Sequence, residues 1–358
     1  MDMPDHIILE ILLRLPVRSL ARFKVVCKSW RSHILNPKFV KKHVLNNLNN
    51  DDFVIAHGRY CNGLNQLSLL DVNLHDRDIS LNIPMPDKDS FYVVGSCNGL
   101  ICLAYNFNNG SQRLPRKQCI WNPATGKVKE INRCTIKIKA KSNNDIRVSL
   151  GFGFDHASSD YKVVRIVTYK CPFEYDFKNR VEVYSLNKDS WMEVDEEFEF
   201  GKIMSIYPAF VNGSIYWISE TNSFDEKFAV VSFNLQSENL CKTLVPENVL
   251  SSYYNVCDDI FALNESVAVA ITDEDKKNGI DIWTLDGDNS WNKKLTINRS
   301  VITSIVGCLK TGEFVGLDSN NELVLYNSGK KVVKPTHQLI RRETIRTYNH
   351  SESLVSWN

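Results

Sequence analysis

An excess of charge of either sign is missing from this sequence. Lysine and arginine together number 43 and the acids 42, so the formal net charge is only +1. Proteins drawn to nucleic acid or to anionic membranes by long-range attraction carry a clear surplus of basic residues. We therefore expect no nucleic acid and no membrane among the partners of this chain.

Long hydrophobic runs and paired metal ligands are missing as well. Asp5, Glu10 and Arg14 interrupt the apolar N-terminal segment, which is too short for a secretory signal core or a membrane span. The 10 cysteines are scattered, form no Cys-x-x-Cys pair and have no close histidine pair beside them. These absences predict a chain that is not secreted, that resides in the cytoplasm and/or the nucleus, and that holds no metal or other cofactor.

Catalytic motifs are equally scarce. Residues 95–99 have the glycine spacing of a nucleophile elbow, but an elbow needs a strand, a turn and a helix, whereas residues 100–103 continue as a strand. A hairpin is the better interpretation. Gly151 and Gly153 are a fragment of a dinucleotide fingerprint without its third glycine, which favours tight sheet packing. We expect no catalytic residues and no enzymatic activity.

The first 46 residues, in contrast, have helical periodicity. Apolar residues one, three and four positions apart predict a first helix that begins at Pro4 and is ended by Pro16. A second helix, capped by Ser19, reaches Val26, and a third helix and a last helical turn follow up to residue 40. A module of three or four such short helices buries little surface by itself, so its stability is expected to depend on a partner or neighbour.

The segment MPDHIILEILLRLPVRSL at residues 3–20, followed by VCKSWR at residues 26–31, resembles an F-box. It departs from the family only at Met3, where leucine is usual. The resemblance covers residues 3–42 and implies docking on the SKP adaptor of a cullin-RING ubiquitin ligase. Its adaptor-binding residues are expected among Pro4, Ile7, Ile8, Ile11, Leu12, Leu15, Pro16, Leu20, Val26, Cys27 and Trp30. Alternatively all of them belong to the core of the module, but so few helical residues scarcely enclose this many large apolar side chains.

From residue 47 onward the chain has short β-rich segments that repeat. The segments at 181–186, 230–235 and 280–285 align without gaps, and their aromatic residues are 49 and 50 positions apart. Weaker copies lie at 120–126, 325–329 and 69–71, which gives six centres. Each of the later five has an apolar hairpin before it, at 91–104, 149–168, 208–218, 260–271 and 301–317.

Asn-Gly pairs at 62–63, 98–99 and 212–213 supply tight turns, because both residues tolerate positive φ. Repeats near 50 residues with about four strands each are typical of propeller blades. The fold class is therefore mostly β: the helical module at residues 1–46, then a six-bladed antiparallel β-propeller at 47–358, with seven blades as the alternative. Residues 344–348 and 353–357 are two candidates for the strand that closes the ring.

This second part resembles the plant F-box-associated, kelch-related domain of type 1. The resemblance rests on GLIC at 99–102, IWNPATG at 120–126, GFGFD at 151–155 with DYKVVR at 160–165, and residues 181–191. The arrangement also resembles the S-locus F-box-like group, including the ending at residues 348–354.

Three long connections are candidates for recognition of a further protein: residues 137–147, 170–180 and 220–227. Phe173, Tyr175 and Phe177 lie among acids in the second, and Phe224 lies in the third, a composition suited to a protein contact or equally to a plain surface loop.

The resemblance implies a non-catalytic substrate-recognition subunit of an SCF-type cullin-RING E3 ubiquitin ligase. Its partners would be the SKP adaptor, through it the cullin and RING subunits, and a target protein held by the propeller. One alternative is a scaffold or glycan-binding propeller that uses the F-box only for docking and does not cause degradation. Another is a propeller enzyme, which would need a polar cluster along the central channel.

Overall fold

The computed structural model describes residues 4–47, 53–60, 65–71, 78–84, 91–106, 115–132, 134, 136, 146–170, 176–198, 200–205, 207–223, 228–246, 249, 256–272, 279–287, 289–329, 332–335 and 342–357. Four helices come first in these ranges: α1 (Asp5–Leu13), α2 (Val17–Phe23), α3 (Lys28–Leu35) and α4 (Pro37–Asn47). None of them has the length and apolar content of a membrane-spanning segment. The division of the chain between residues 46 and 47 remains our proposal.

Two details of the helices differ from the sequence prediction. The second helix begins directly after Pro16 and not after Ser19. Pro16 caps it through its backbone, because its carbonyl accepts from the N–H of both Ser19 and Leu20. The helix ends at Phe23, so Val26 lies in the turn that follows. The last helical turn is in fact an eleven-residue helix, begun by Pro37.

The strands form six antiparallel sheets within the described part of the chain, here called blades 1 to 6 in chain order. Blade 1 contains β1 (Phe53–Tyr60), β2 (Asn65–Asp71) and β3 (Asp78–Ser80), and blade 2 contains β4 (Phe91–Cys97), β5 (Leu100–Asn106), β6 (Pro115–Asn122) and β7 (Lys127–Ile131). Blade 3 contains β8 (Ile146–Asp155), β9 (Asp160–Lys170), β10 (Phe177–Ser185) and β11 (Ser190–Phe198).

Blade 4 contains β12 (Lys202–Ile203), β13 (Ala209–Val211), β14 (Ser214–Glu220), β15 (Phe228–Asn234) and β16 (Leu240–Leu244). Blade 5 contains β17 (Val256–Leu263), β18 (Ser266–Thr272), β19 (Gly279–Leu285) and β20 (Trp291–Asn298), and blade 6 contains β21 (Ser304–Cys308), β22 (Phe314–Leu317), β23 (Leu323–Asn327) and β24 (Val332–Pro335). The final strand, β25 (Arg342–His350), joins blade 1.

All six repeat centres found in the sequence fall in the third position of their blades. In blade 1 the order is β25-β1-β2-β3, so the centre at 69–71 lies in β2; the others lie in β6, β10, β15, β19 and β23. The apolar hairpins before them supply the first and second strands. The prediction of six blades, made from this periodicity, is therefore confirmed and seven is wrong.

Apolar layers fill the spaces between consecutive blades. Five buried clusters each join two consecutive blades, the first between blades 1 and 2 and the last between blades 5 and 6. A sixth cluster joins blade 6 back to blade 1 through Val54 and Val315. Tryptophans add hydrogen bonds across these layers. Trp217 in blade 4 donates to the carbonyl oxygen of Leu150 in blade 3 (3.2 Å), and Trp291 in blade 5 donates to that of Leu244 in blade 4 (2.9 Å).

The ring is closed by β25, which pairs antiparallel with β1 as the innermost strand of blade 1. Its side chains bind both neighbouring blades: Thr347 Oγ1 donates to Val306 O (3.0 Å) in blade 6, and Tyr348 Oη donates to Val93 O (2.8 Å) in blade 2. The first candidate closing segment, 344–348, is therefore confirmed. The second, 353–357, is not a strand, because blade 1 already has its innermost strand and these residues instead follow the turns of blade 2.

His350, at the end of this closing strand, predicts a pH dependence of stability. The side chain is buried, with Nδ1 3.1 Å from Ser96 Oγ, and burial lowers the pKa of His350 to about 4 from an ordinary 6.5. Between about pH 6.5 and pH 4 the imidazole of His350 is protonated in the unfolded chain but not in the folded chain. The free energy of unfolding therefore falls as the pH drops through this range. At the usual energy per pKa unit, the loss is on the order of 3 kcal/mol.

Urea unfolding of the wild type and of His350→Gln across this pH window measures the effect. The glutamine variant should lose less stability on acidification than the wild type, because its side chain takes up no proton. Parallel pH profiles for the two proteins would contradict the assignment.

Candidate protein-docking surfaces

The helical module has a small core of its own. Leu12, Leu13, Val17, Leu20, Ile34 and Phe39 are buried together in this cluster. Of the eleven residues expected to bind an adaptor, Leu12 and Leu20 are thus core residues, fully shielded from solvent. Ile8, Leu15 and Trp30 are half-buried against the same cluster, and the exposed members are Pro4, Ile7, Ile11, Pro16, Val26 and Cys27.

The exposed members include large apolar side chains without a covering element in the described chain. Ile7 and Ile11, one turn apart on α1, expose 41% and 46% of their surface. In the turn between α2 and α3, Val26 exposes 59% and Val25 exposes 87%. Val25 was missed by the sequence reasoning, although its place beside Val26 in a short turn was a usable signal. Apolar surface concentrated on a few short helices is typical of a protein-docking site.

Contacts within the module hold this surface in place. Cys27 precedes α3 and its Sγ accepts from the backbone N–H of Trp30 (3.4 Å), while Trp30 meets Phe23 edge to face with ring centroids 5.3 Å apart. Lys42 on α4 forms an exposed ion pair with Glu10 on α1 (2.8 Å), whose hydrogen bond and charge lower the pKa of Glu10. The helices therefore present their exposed side chains from a defined arrangement.

Residues 351–357, here called the C-terminal tail, join the module to the propeller. Leu354 is 3% exposed and lies in the core cluster of the module, and Glu352 pairs with Arg18 of α2 (2.8 Å). Burial of one leucine side chain contributes about 1.5–3 kcal/mol, more than the typical ~0.2–1 kcal/mol of an exposed ion pair. Leu354 thus contributes more to this attachment than the Arg18–Glu352 pair does.

The other side of the tail is held by Asn122, the central residue of the IWNPATG motif. Its Nδ2 donates to the carbonyl oxygens of Ser353 (3.0 Å) and Val355 (2.8 Å). Its Oδ1 accepts from the backbone N–H of Ala124 (3.0 Å), which fixes the turn between β6 and β7. The motif therefore does more than form a turn, a role that its sequence did not reveal.

The antiparallel blades divide the loops between two ends of the propeller. The turns after the first and third strands, such as 98–99 and 123–126, lie at the end that carries the tail and the helices, here called the module end. The connections between second and third strands join strand termini at the opposite end, here called the far end. In blade 3 these termini are Lys170 and Phe177, and in blade 4 they are Glu220 and Phe228. The long connections at 170–180 and 220–227, singled out from the sequence, therefore start and finish at the far end.

Phe177 is the one predicted recognition aromatic that the described ranges include; Phe173, Tyr175 and Phe224 lie outside them. It is half-buried at the start of β10, with the ammonium groups of Lys170 and Lys202 5.8 and 5.9 Å from its ring centroid. Asn222 of blade 4 holds its backbone on both sides, since it accepts from Phe177 N and donates to Phe177 O, both at 3.1 Å. Aromatic and cationic groups thus meet at the far end, between blades 3 and 4.

A cavity of about 390 Å³ occupies the central channel. Arg346 of β25 lies in it, forms an ion pair with Asp259 of blade 5, and stacks on the ring of Tyr207 between β12 and β13 of blade 4 (4.8 Å to the centroid). The sequence reasoning missed this cluster, because its members are far apart in the chain and come together only at the axis. In this structure the cluster links the closing strand to blades on the other side of the channel.

The remaining chemical candidates have structural roles. Asn98 and Gly99 both have positive φ in a hairpin turn between β4 and β5, which confirms the hairpin interpretation of residues 95–99. A Cβ on Gly151 would lie 2.6 Å from Trp217 of blade 4, so this glycine serves sheet packing. Burial raises the pKa of the Cys97 and Cys308 thiols to about 12. No group of three or more potential metal ligands occurs in the part of the chain that the structure describes.

Comparisons with known proteins agree with these features. The sequence matches the F-box domain over residues 1–42 and the F-box associated beta propeller domain over residues 65–341. It is 28% identical to an F-box/kelch-repeat protein of Arabidopsis thaliana over 254 residues, which is 66% of this chain and 64% of that relative. It is 26% identical to the F-box protein CPR1 of the same plant over 318 residues, 83% of this chain and 73% of CPR1.

The chain thus spans slightly less than two thirds of the first relative. Among solved structures, a fucose-binding fungal lectin of Aleuria aurantia, described as a six-bladed β-propeller, has a TM-score of 0.47 at 11% identity, covering 80% of this chain and 92% of the lectin. An oligogalacturonate lyase of Vibrio parahaemolyticus has a TM-score of 0.45 at 12% identity, covering 80% of this chain and 79% of the lyase.

Proposed function

Because this chain belongs to the F-box associated beta propeller family and carries an F-box domain, we propose that it is the substrate-recognition subunit of an SCF-type cullin-RING ubiquitin ligase. The F-box docks on the SKP adaptor, which connects it to the cullin and RING subunits. The far end of the propeller holds a target protein. The chain itself performs no chemistry.

The observation that carries the proposal is the exposed apolar surface of the module. Its core is already filled by buried leucines, isoleucine and phenylalanine, so Ile7, Ile11, Val25 and Val26 are not needed to complete it. Covering these side chains with an adaptor removes them from water and is favourable.

The two ends of the propeller fit the two tasks. The helices lie at the module end, and the far end brings together strand termini, Phe177 and the amines of Lys170 and Lys202. A target bound there is held at high effective concentration near a ubiquitin-loaded enzyme, so the rate gain comes from proximity and orientation. This division of labour requires no nucleophile in the chain.

Substitution of Ile11 by aspartate tests the adaptor site. Ile11 is half exposed, so Ile11→Asp should leave the fold intact while it places a charge in an apolar interface. We expect the affinity for the purified SKP adaptor to fall at least about tenfold, in the range of a binding hot spot. Co-purification and titration with the adaptor measure it.

Met192→Asp is the matched control, because Met192 is also about half exposed but lies on β11 of blade 3. It should bind the adaptor like the wild type. Equal binding by Ile11→Asp, Met192→Asp and the wild type would refute the assignment of the adaptor surface.

A further inference from the structure

We propose that the C-terminal tail positions the adaptor-binding helices on the propeller, with Leu354 and Asn122 as positioning residues for ubiquitin transfer; the link to transfer rests on the proposed ligase function. The tail thereby sets the distance and angle between the adaptor surface and the far end. The basis is a set of contacts on both sides of the tail.

On the side of the module, the tail supplies a core residue. Leu354 is buried among Leu12, Leu20 and Ile34, more than 300 positions away along the chain. Arg18 of α2 pairs with Glu352, two residues before it. The helices are thus attached to the propeller by the tail, by the chain that leads from α4 to β1, and by Ala124 in the turn between β6 and β7, which packs against the same cluster.

On the side of the propeller, the path of the tail is built into blade 2. Asn122 is fully buried and binds two tail carbonyls, and the ammonium of Lys127 donates to a third, that of Trp357 (3.3 Å). Gly99 leaves room for the tail, since a Cβ there would lie 2.4 Å from Ser353 Oγ. Val355 and Trp357 pack against the apolar layer between blades 2 and 3.

Attachment at more than one point has a mechanical consequence. Domains joined by a single connection and a small interface move relative to each other by default. The tail adds a further attachment, with a buried apolar side chain on one domain and hydrogen bonds from the buried Asn122 on the other. The tail continues directly from β25, so the strand that closes the ring also leads into the attachment of the helices.

The positioning role also has a functional consequence. Ubiquitin transfer depends on how often a target lysine reaches the loaded enzyme, and that frequency falls when the receptor can rotate between its two ends. Residues that only hold the two domains in a fixed relative orientation therefore affect the rate of ubiquitin transfer without contacting the target, the adaptor or ubiquitin.

Distance measurements on the full-length chain test the proposal. Spin labels carried by a ketone amino acid at Leu45 on α4 and Met192 on β11, both exposed, report the arrangement of module and propeller without labelling cysteines. We expect one narrow distance distribution for the wild type. Leu354→Ala and Asn122→Ala should broaden it, because the first weakens the hold of the tail on the helices and the second weakens its hold on blade 2.

Two controls separate positioning from general damage. Leu354→Met keeps an apolar side chain of similar volume and should restore the narrow distribution. Ser356→Ala alters an exposed tail residue and should leave it unchanged. A narrow distribution in both Leu354→Ala and Asn122→Ala would overturn the proposal.

Binding to the SKP adaptor distinguishes positioning from adaptor contact. Leu354→Ala should bind the adaptor within about threefold of the wild type. The distance measurement is repeated in the adaptor complex, so that loosening of the helices within the free module is not mistaken for movement of the module on the propeller. A loss of affinity as large as that of Ile11→Asp would overturn the positioning role. If the wild type itself fails to bind the adaptor, the ligase function fails, while the distances in the free chain still decide whether the tail fixes the helices.

Discussion

Removal of residues 342–358, which deletes β25, is expected to abolish the cooperative unfolding transition of the propeller. The deletion exposes the edge of β1 from Phe53 to Tyr60 and opens the apolar layers on both sides of blade 1. A domain of this kind is stable by only about 5–15 kcal/mol, so the loss of a central strand and its packing exceeds the margin. Calorimetry and circular dichroism of the purified chain measure the transition.

A shorter deletion is the control. A chain that ends at His350 keeps β25 and loses only the tail, so the propeller transition should remain cooperative. Retention of a cooperative transition at the wild-type temperature after the longer deletion would show that the ring does not depend on β25.

Glu182→Ala should destabilise the propeller more than substitution of any exposed acid. Glu182 is fully buried in blade 3, forms an ion pair with Arg165 (2.5 Å) and accepts from the backbone N–H of Ile136 (2.7 Å). Alanine leaves the buried guanidinium of Arg165 without this carboxylate. Breaking a buried pair in this way costs about 3–5 kcal/mol, which a shift of the urea midpoint measures.

Glu193→Ala gives the comparison within the same blade. Glu193 pairs with Arg180 between β10 and β11, but both side chains are about one third exposed. Solvent screens such pairs, so this substitution should change stability by about 0–1 kcal/mol. Equal effects of the two alanine variants would mean that the Arg165–Glu182 pair is not a buried structural element.

The blade architecture was predictable because its signal is local and repeated. Each third strand alternates apolar residues before a turn, and six copies of one pattern indicate six equivalent blades. Turn chemistry was predictable for the same reason, since Asn98 and Gly99 need only their own positive φ to form the hairpin. The limits of the helices were less predictable, because the carbonyl of Pro16 accepts the first hydrogen bonds of α2 while Ser19 offered a competing cap.

The docking surfaces required the tertiary structure. Leu12 and Ile11 are neighbours in an apolar stretch of α1, yet one is fully buried and the other is half exposed. The difference depends on where α2, α3 and the tail meet α1, and no local pattern encodes that. Asn122 is similar: its turn is visible in the sequence, whereas its bonds to Ser353 and Val355 join residues more than 200 positions apart.

The enzyme alternative depended on a polar cluster in the central channel, and the structure contains one in Arg346, Asp259 and Tyr207. The guanidinium is already engaged by a carboxylate and an aromatic ring from blades across the channel. Its arrangement fits the support of a closed ring, in keeping with the role that we propose for the chain as a whole.

Calorimetric titration of the full-length chain with the purified SKP adaptor tests the central claim most directly. The account predicts saturable one-to-one binding with a negative heat-capacity change, because apolar side chains such as Ile7 and Val26 leave water when the adaptor covers them. A correctly folded chain that gives no binding heat at any temperature and forms no complex with the adaptor would contradict it.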